Sequence, residues 1–453
     1  MMGGRRVRGA RRRRQSMHLA SIPIPRLLAA AGAAYLVAIV VLVVTKAPLG
    51  SAIFFAAVLA GTIAYGAVLA RVWREPRAAR RLLLASFGLA AAMRIPMAVA
   101  PVGADSDMVR YQWDGRVQLL GYSPYRVLPA DPSMAHTHTD QTARMPSQRD
   151  RTPYPPAAQL FFRLVVMVSD TTLAMKLALV ACDLLTMIVL WRWLVATGRS
   201  EWLTLAYAWN PLVVFEIAHS GHIDALAALW IVTAAFWLSR RRTQLATVAF
   251  VLAIATKLVP IVLAPLLVGR IRKRDAFTGA LCLAALYLPF VSGSDVPLGA
   301  VPNVVDRVRF NGPLFSGIAA MTFPRFAAGV AVAAGLTVAL WARWRLPATD
   351  PAAWAWPMAV AIAFAPVIYP WYLLCVTPFL FSAATLPLTA WTVSALSVYE
   401  VWDLSRHGGR WITPVSVMAF EFGVLVAAGV VLAVWRRRPE GDGDNGFTTK
   451  DQC

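Results

Sequence analysis

Continuous runs of roughly 18 or more apolar residues recur along the chain, separated by short polar turns. They do not alternate between apolar and polar positions, so the pattern predicts helices and not strands. Inside lipid every backbone polar group must be satisfied within the chain, which leaves helical bundles and closed barrels as the possible folds. The reading is therefore an all-α polytopic membrane protein of about 12 transmembrane helices. The expected spans are 26–44, 51–70, 82–101, 172–195, 202–217, 224–238, 277–291, 326–341, 353–368, 371–384, 387–399 and 414–435. A shorter apolar stretch at 154–168 reads as interfacial.

The run at 245–268 is long enough for one crossing, yet arginines flank both ends and Lys257 and Pro260 interrupt its middle. A single crossing would place all later basic clusters on the opposite face. A re-entrant or broken hairpin keeps them together, and irregular backbone is tolerated at membrane depth where it lines a cavity. Residues 26–435 then form a single multispan catalytic domain. A basic N-terminus (1–25) precedes it and a Gly- and Asp-rich tail (436–453), read as disordered, follows it. The first apolar run lacks a convincing cleavage site and is read as a retained helix. No internal repeat is evident.

Charge changes this picture in one respect. The net charge of +21 suggests nucleic acid, but the basic residues fall in short clusters between apolar runs, at 5–14, 71–81, 240–242, 270–274, 343–345 and 436–438. That is the positive-inside pattern of a multi-pass plasma-membrane protein with both termini cytoplasmic, and it gives no role to nucleic acid. Two outer loops follow, 102–156 and 292–325. The first holds six Arg and six Asp and balances to zero. The four cysteines have neither a disulfide framework nor zinc spacing.

Candidate chemistry gathers on that outer face. "SDMVRYQWDGR" (106–116) crowds Asp107, Arg110, Tyr111, Trp113, Asp114 and Arg116 just past the third span. A carboxylate at the edge of a low-dielectric region can act as a general base, a guanidinium fork matches phosphate, and aromatic rings stack on sugars. The bland alternative is an interfacial helix with an Arg110–Asp114 pair, in which Gly115 ends the helix. "EIAHSGHIDAL" adds Glu216, His219, His222 and Asp224. Asp224 also reads as a helix cap and His222 as interfacial. Lys257 in "ATKLVP" is an ionisable group in an apolar run, functional or snorkelling. Lys176 and Asp183 read as structural polar contacts. Arg307 and Arg309 lie on the second outer loop, and Tyr369, Trp371 and Tyr372 in "YPWY" lie at an outer span end, where an aromatic belt is also expected.

The succession "SDMVRYQWDGRVQLLGYSPYRVLPADP", "YPPAAQLFF", "SGHIDALAAL", "ATKLVPIVLAPLL", "NGPLF", "YPWYLLCVTPFL" resembles bacterial polyprenyl-phosphate-mannose-dependent mannosyltransferases of the integral-membrane glycosyltransferase C superfamily. The likeness spans roughly residues 105–380. It implies a glycosyltransferase C-type bundle and a polyprenyl-phosphate sugar donor. It also implies a lipid or glycan acceptor, contact with membrane lipids, and an acid in the first outer loop acting as base. That acid maps to Asp107, with Asp105 in reserve. Tyr154, in "YPPAAQLFF", joins the expected substrate contacts. Two positions depart from the family pattern. Ser106 stands where a second acid is common, and Tyr369 stands where a His often precedes "PWY". Donor-phosphate contact is therefore expected of His222, Arg307 and Arg309.

The implied reaction is an inverting hexosyl transfer needing no cofactor, although a divalent cation held by Asp105 and Asp107 stays open. The rival class is a transporter or flippase of lipid-linked substrates. It accounts for the spans and for Lys176, Asp183 and Lys257, but less well for a loop dense in acids, arginines and aromatics.

Overall fold

The computed structural model describes residues 22–102, 106–291, 297 and 299–437. Asp105, the N-terminal arginine cluster, the tail from 438 and residues 292–296 and 298 of the second outer loop lie outside the described residues. Among the described residues the chain is helical, and its only extended pairing is the single bridge Phe310–Val367.

Six helices are long and apolar enough to cross a membrane. They are α1 (Ile24–Val44), α2 (Ala52–Val72), α3 (Arg80–Val99), α6 (Thr172–Ala196), α11 (Pro324–Arg345) and α14 (Val415–Arg437). Two shorter helices, α4 (Asp107–Leu119) and α5 (Pro156–Val168), frame the polar segment between α3 and α6. Further helices include α7 (Asp224–Ser239), α8 (Thr243–Ile254), α9 (Lys273–Tyr287), α10 (Val301–Arg307), α12 (Pro351–Ala363) and α13 (Leu386–Ser394).

Several runs expected as regular spans are broken instead. Residues 202–217 form short turns ending in a π-helix, Val214–His219, and 370–379 are two 3₁₀ turns. Proline is the local cause. Pro211, Pro370 and Pro378 each remove a backbone donor and disfavour helix in the residue before them. The 245–268 run is likewise two arms. α8 rises to a turn at Thr256–Lys257, and the 3₁₀ segment Val259–Leu267 returns. Both arms end on the same side. Thr243 donates to Asp275 (2.6 Å), and Arg270, just beyond the second arm, bonds the Leu346 carbonyl at the end of α11 (3.1 Å).

Broken backbone is affordable in lipid only when protein surrounds it. The segment 204–218 is buried at every position, whereas α14 buries only 11% of its most apolar window. Long regular helices thus take the periphery and irregular ones the centre. Side chains from the long helices satisfy the broken segment. Tyr65 of α2 donates to the Ala206 carbonyl (2.9 Å) and Arg94 of α3 to that of Ala208 (3.0 Å). Asn210 caps its own turn by accepting from Leu212 N (2.9 Å). Arg94 is itself paired with Asp183 of α6, which also accepts from Tyr207 Oη (2.7 Å). Lys176, also on α6, donates to carbonyls at the end of α3, those of Met97 (2.6 Å) and Ala100 (2.9 Å).

Removing one partner of a buried ion pair leaves an unpaired charge and costs about 3–5 kcal/mol, while replacing both with apolar residues costs far less. Asp183→Leu is therefore expected to abolish the monodisperse peak in size-exclusion chromatography of the detergent-solubilised protein. Arg94→Met/Asp183→Leu should restore part of it. A double variant no better than the single one would show that the Arg94–Ala208 bond, not the ion pair, is what matters.

Candidate active site

One set of ends of these elements converges on Asp107, the first residue of α4, whose helix is capped by Ser106 Oγ accepting from Met108 N (3.3 Å). Gly115 does not end this helix, as its sequence context suggested. α4 runs through it to Leu119, and a Cβ there would stand 2.6 Å from the Phe162 carbonyl, so the glycine permits α4 to pack on α5. Gly221 serves a second close approach. It has φ +71°, and a Cβ would collide with Met108 Sδ. That contact lays the 220–223 loop on α4, where Ile223 N also donates to Tyr111 Oη (3.4 Å).

The loop delivers His222 to the acid. His222 Nδ1 lies 3.6 Å from Asp107 Oδ2, and Nε2 lies 3.3 Å from Glu216 Oε2 on the π-helix. Tyr399 Oη donates to the same Glu216 oxygen (2.8 Å). The imidazole lies flat on Trp371 (centroids 3.9 Å, 8° between planes), which stacks in turn on Tyr369 (4.3 Å). The ring is thus fixed in plane by aromatics and along its axis by two carboxylates. Burial alone would lower the His222 pKa, but Asp107 and Glu216 outweigh it and raise it to about 9. The histidine is a cation at neutral pH.

Two cavities meet here, with Asp107, Trp371 and Trp402 in the lining of both. The larger, about 720 Å³, is lined by Arg110, Tyr111, Tyr154, Lys257, Tyr369 and Tyr372, with a wall of Val301, Val304, Val305 and Val308. The smaller, about 110 Å³, is lined by Ser106, His219, Ser220, His222 and Tyr399. Lys257, at the hairpin turn, pairs with buried Asp224 (3.0 Å) and sits over the Tyr372 ring (4.1 Å). Arg110 donates through Nε to Asp114 (2.7 Å) and through Nη1 to the Asp150 carbonyl (3.1 Å), and its buried Nη2 has no partner.

Other expected site residues stand elsewhere. Trp113 packs in a small core with Val109, Val117, Met134 and Met145, bonds Thr137 Oγ1 (2.9 Å) and lines neither cavity. Arg116 is engaged with Asp170 (2.6 Å) and the Thr137 carbonyl (3.0 Å), which ties α4 to the head of α6. Arg307 is exposed, and Arg309 folds back on the carbonyls of Val305 (3.0 Å) and Val308 (2.6 Å) and on the Phe315 ring. Neither arginine lines either cavity, because the helix of α10 turns its valines inward and its charges outward. Asp114 is held by Arg110 and by Gln159 Nε2 (2.9 Å), deep in the α4–α5 contact. Among the described residues no group of three or more His, Cys, Asp or Glu is placed to hold a metal ion.

Tyr399 is a neighbour that the sequence reading did not single out, and Glu216, named there with His219, meets His222 instead. Glu216 is three residues from His219 in sequence, yet the π-helix and the Gly221 turn aim it at His222. Helical periodicity carries no sign of a π-turn.

A carboxylate in a wall common to two chambers of a membrane bundle is a layout for joining two substrates. Comparison with known proteins fits that class. The model of the MptA_B family, alpha-(1->6)-mannopyranosyltransferase, N-terminal domain, matches residues 18–272, more than half of the chain, and the chain belongs to this family. It is a membrane glycosyltransferase of a mannosyltransferase family, and the transporter reading is not favoured. No curated protein and no solved structure matches it.

The histidine makes a pH prediction. A pKa raised on folding contributes stability that is complete below the ordinary imidazole value of 6.5 and is lost as pH rises through about 9. Thermal unfolding in detergent should show wild type above His222→Gln at pH 6, with the gap narrowing above about pH 6.5 and closing by about pH 9. A gap that stays constant over that range would mean His222 is not held as a cation.

Proposed function

We propose that the protein is an inverting mannosyltransferase acting at the outer face of the plasma membrane, moving mannose from a polyprenyl-phosphate donor to a lipid or glycan acceptor. The observation that carries this reading is the position of Asp107 in the wall shared by the two cavities. In this scheme Asp107 takes the proton from the acceptor hydroxyl as its oxygen attacks the anomeric carbon. The bond from that carbon to the phosphate oxygen breaks with its electron pair, and the lipid phosphate leaves. A phosphate leaving group needs little acid assistance, so one base suffices, unlike the two carboxylates of glycoside hydrolysis.

The larger cavity suits an amphiphilic donor. Its valine wall offers an apolar surface to a prenyl chain, and its lining includes Arg110, whose buried Nη2 lacks a partner, and Lys257. A guanidinium N–H left free in a buried site is costly until an anion accepts it. Arg110 and Lys257 therefore replace Arg307 and Arg309 as the proposed phosphate contacts. The positive charge of His222 stands on the far side of Asp107.

The same reading includes a glycosyltransferase C-type bundle of about 12 crossings plus the 245–268 hairpin. The alternation of element ends supports it. Ser200 and Trp202 bond the carbonyls of Glu75 (2.7 Å) and Arg77 (3.2 Å), so the 71–81 and 199–202 turns share one end, while Asp107, His222 and Tyr369 share the other. With the basic turns cytoplasmic, the 106–155 loop faces outward. A cysteine at exposed Ala135 should then react with an impermeant maleimide on intact cells. Reaction only after the membrane is opened would reverse the orientation.

Membranes supplied with radiolabelled polyprenyl-phosphate mannose test the activity. Asp107→Asn keeps shape but cannot accept the proton, and should lower transfer by roughly 10²- to 10⁴-fold at unchanged expression. Asp114→Asn should instead lower the yield of folded protein with little change in specific activity. Transfer by Asp107→Asn near the wild-type rate would remove Asp107 as the base.

A further inference from the structure

His222 is held between two carboxylates, and the proposed reaction uses only one of them. Asp107 meets the ring at Nδ1 (3.6 Å) and Glu216 meets it at Nε2 (3.3 Å). Glu216 is fully buried and lines neither cavity. Its backbone and its side chain both serve the histidine. The Glu216 carbonyl accepts from His222 N (3.1 Å), and Oε2 faces Nε2 while accepting from Tyr399 Oη (2.8 Å). Its second oxygen, Oε1, is buried without a hydrogen-bond partner. A buried acid so incompletely answered is a cost that an apolar residue of similar size would avoid.

The order of charges in the reaction gives the second carboxylate a task. A donor phosphate in the larger cavity brings negative charge toward Asp107, and a cation on the other side of the carboxylate offsets that repulsion. When Asp107 takes the acceptor's proton, its own charge vanishes. With Asp107 as its sole partner, His222 would then be an uncompensated cation in a buried site and would give up its proton. Glu216 stays charged through this step, so the cation persists. We propose that Glu216 is a positioning residue for the transfer: it aims His222 Nδ1 at Asp107 and keeps the histidine's charge in place while Asp107 is neutralised. This rests on Asp107 being the base of the reaction set out above. The other titratable groups near the ring are engaged differently. His219, on the same π-helix, has its pKa lowered to about 4 by burial, by Lys176 and by His222 itself. Tyr111 accepts from Ile223 N, Tyr369 stacks on Trp371, and Asp224 is paired with Lys257.

Glu216→Gln keeps the shape and can still accept from Tyr399, but carries no charge. The detergent-solubilised protein, isotope-labelled at histidine, is titrated by NMR, with the His222 signal identified by its loss in His222→Gln. Apparent kcat and donor KM are measured across the same pH range with radiolabelled polyprenyl-phosphate mannose, the membranes supplying the acceptor. The His222 midpoint is expected near 9 in wild type and below about 8 in Glu216→Gln. The alkaline fall of kcat should move down with the midpoint, leaving a deficit of roughly tenfold or more at about pH 8.5, while donor KM changes less than about twofold. Glu216→Asp returns the charge at a longer distance and should recover part of both, and it carries the test if the amide variant does not fold. A midpoint unmoved in Glu216→Gln, a kcat lowered by one factor at every pH, or an Asp variant no better than the Gln one overturns the assignment. A midpoint that falls in Glu216→Gln while wild type transfers no mannose supports the hold of Glu216 on His222 and instead overturns the proposed donor chemistry.

Discussion

The structure depends on one constraint: backbone that leaves the helical pattern inside the membrane must find its hydrogen bonds among side chains. Residues 204–223 leave it repeatedly, and the placing of His222 follows from how that run is held. Tyr65 and Arg94 satisfy its carbonyls, Asp183 holds Arg94, and the π-helix that results carries Glu216 toward His222. An unsatisfied buried amide costs a few kcal/mol, so each of these polar residues inside the bundle answers a specific deficit. The ionisable groups of α3 and α6 are accounted for in this way and need no transport function.

The site then forms as a contact between two irregular pieces of chain. One is the 220–223 loop, laid on α4 by Gly221. The other is the "YPWY" turn, whose rings clamp His222. Gly221 with its positive φ turns the first, and Pro370 breaks the second. Carboxylate, imidazolium and carboxylate alternate through Asp107, His222 and Glu216, so charge is nearly balanced while the geometry is fixed. Low dielectric makes such balance worthwhile, since an isolated charge there would be expelled or neutralised.

Much of this was legible from the chain. Hydropathy marked where apolar segments lie, the arginines at 71–81 and 199 marked a shared end, and "SDMVRYQWDGR" contains the carboxylate that lines both cavities. The reading failed where two side chains of one short motif part company. Asp107 faces the cavities, but Trp113 and Arg116 lie on the opposite side of α4 and bind the loop and Asp170. Composition names the residues in a stretch, while helix phase and the partner surface decide which of them meet. Arg307 and Arg309 failed for the same reason, since α10 offers its valines to the cavity. Glu216 was seen as polar, but its π-turn is produced by tertiary packing and leaves no periodic trace.

The contrast between enclosed irregular segments and exposed regular helices has an evolutionary consequence. α14 meets lipid along most of its length, and lipid asks only for hydropathy, so most apolar exchanges on that surface are equivalent. In 204–218 every position is buried in protein, and just beyond it even a methyl at Gly221 strikes Met108. Substitutions should therefore accumulate at very different rates in the two regions. Lineages of this protein would diverge around their rim while the strand of backbone that aims Glu216 and His222 stays nearly still.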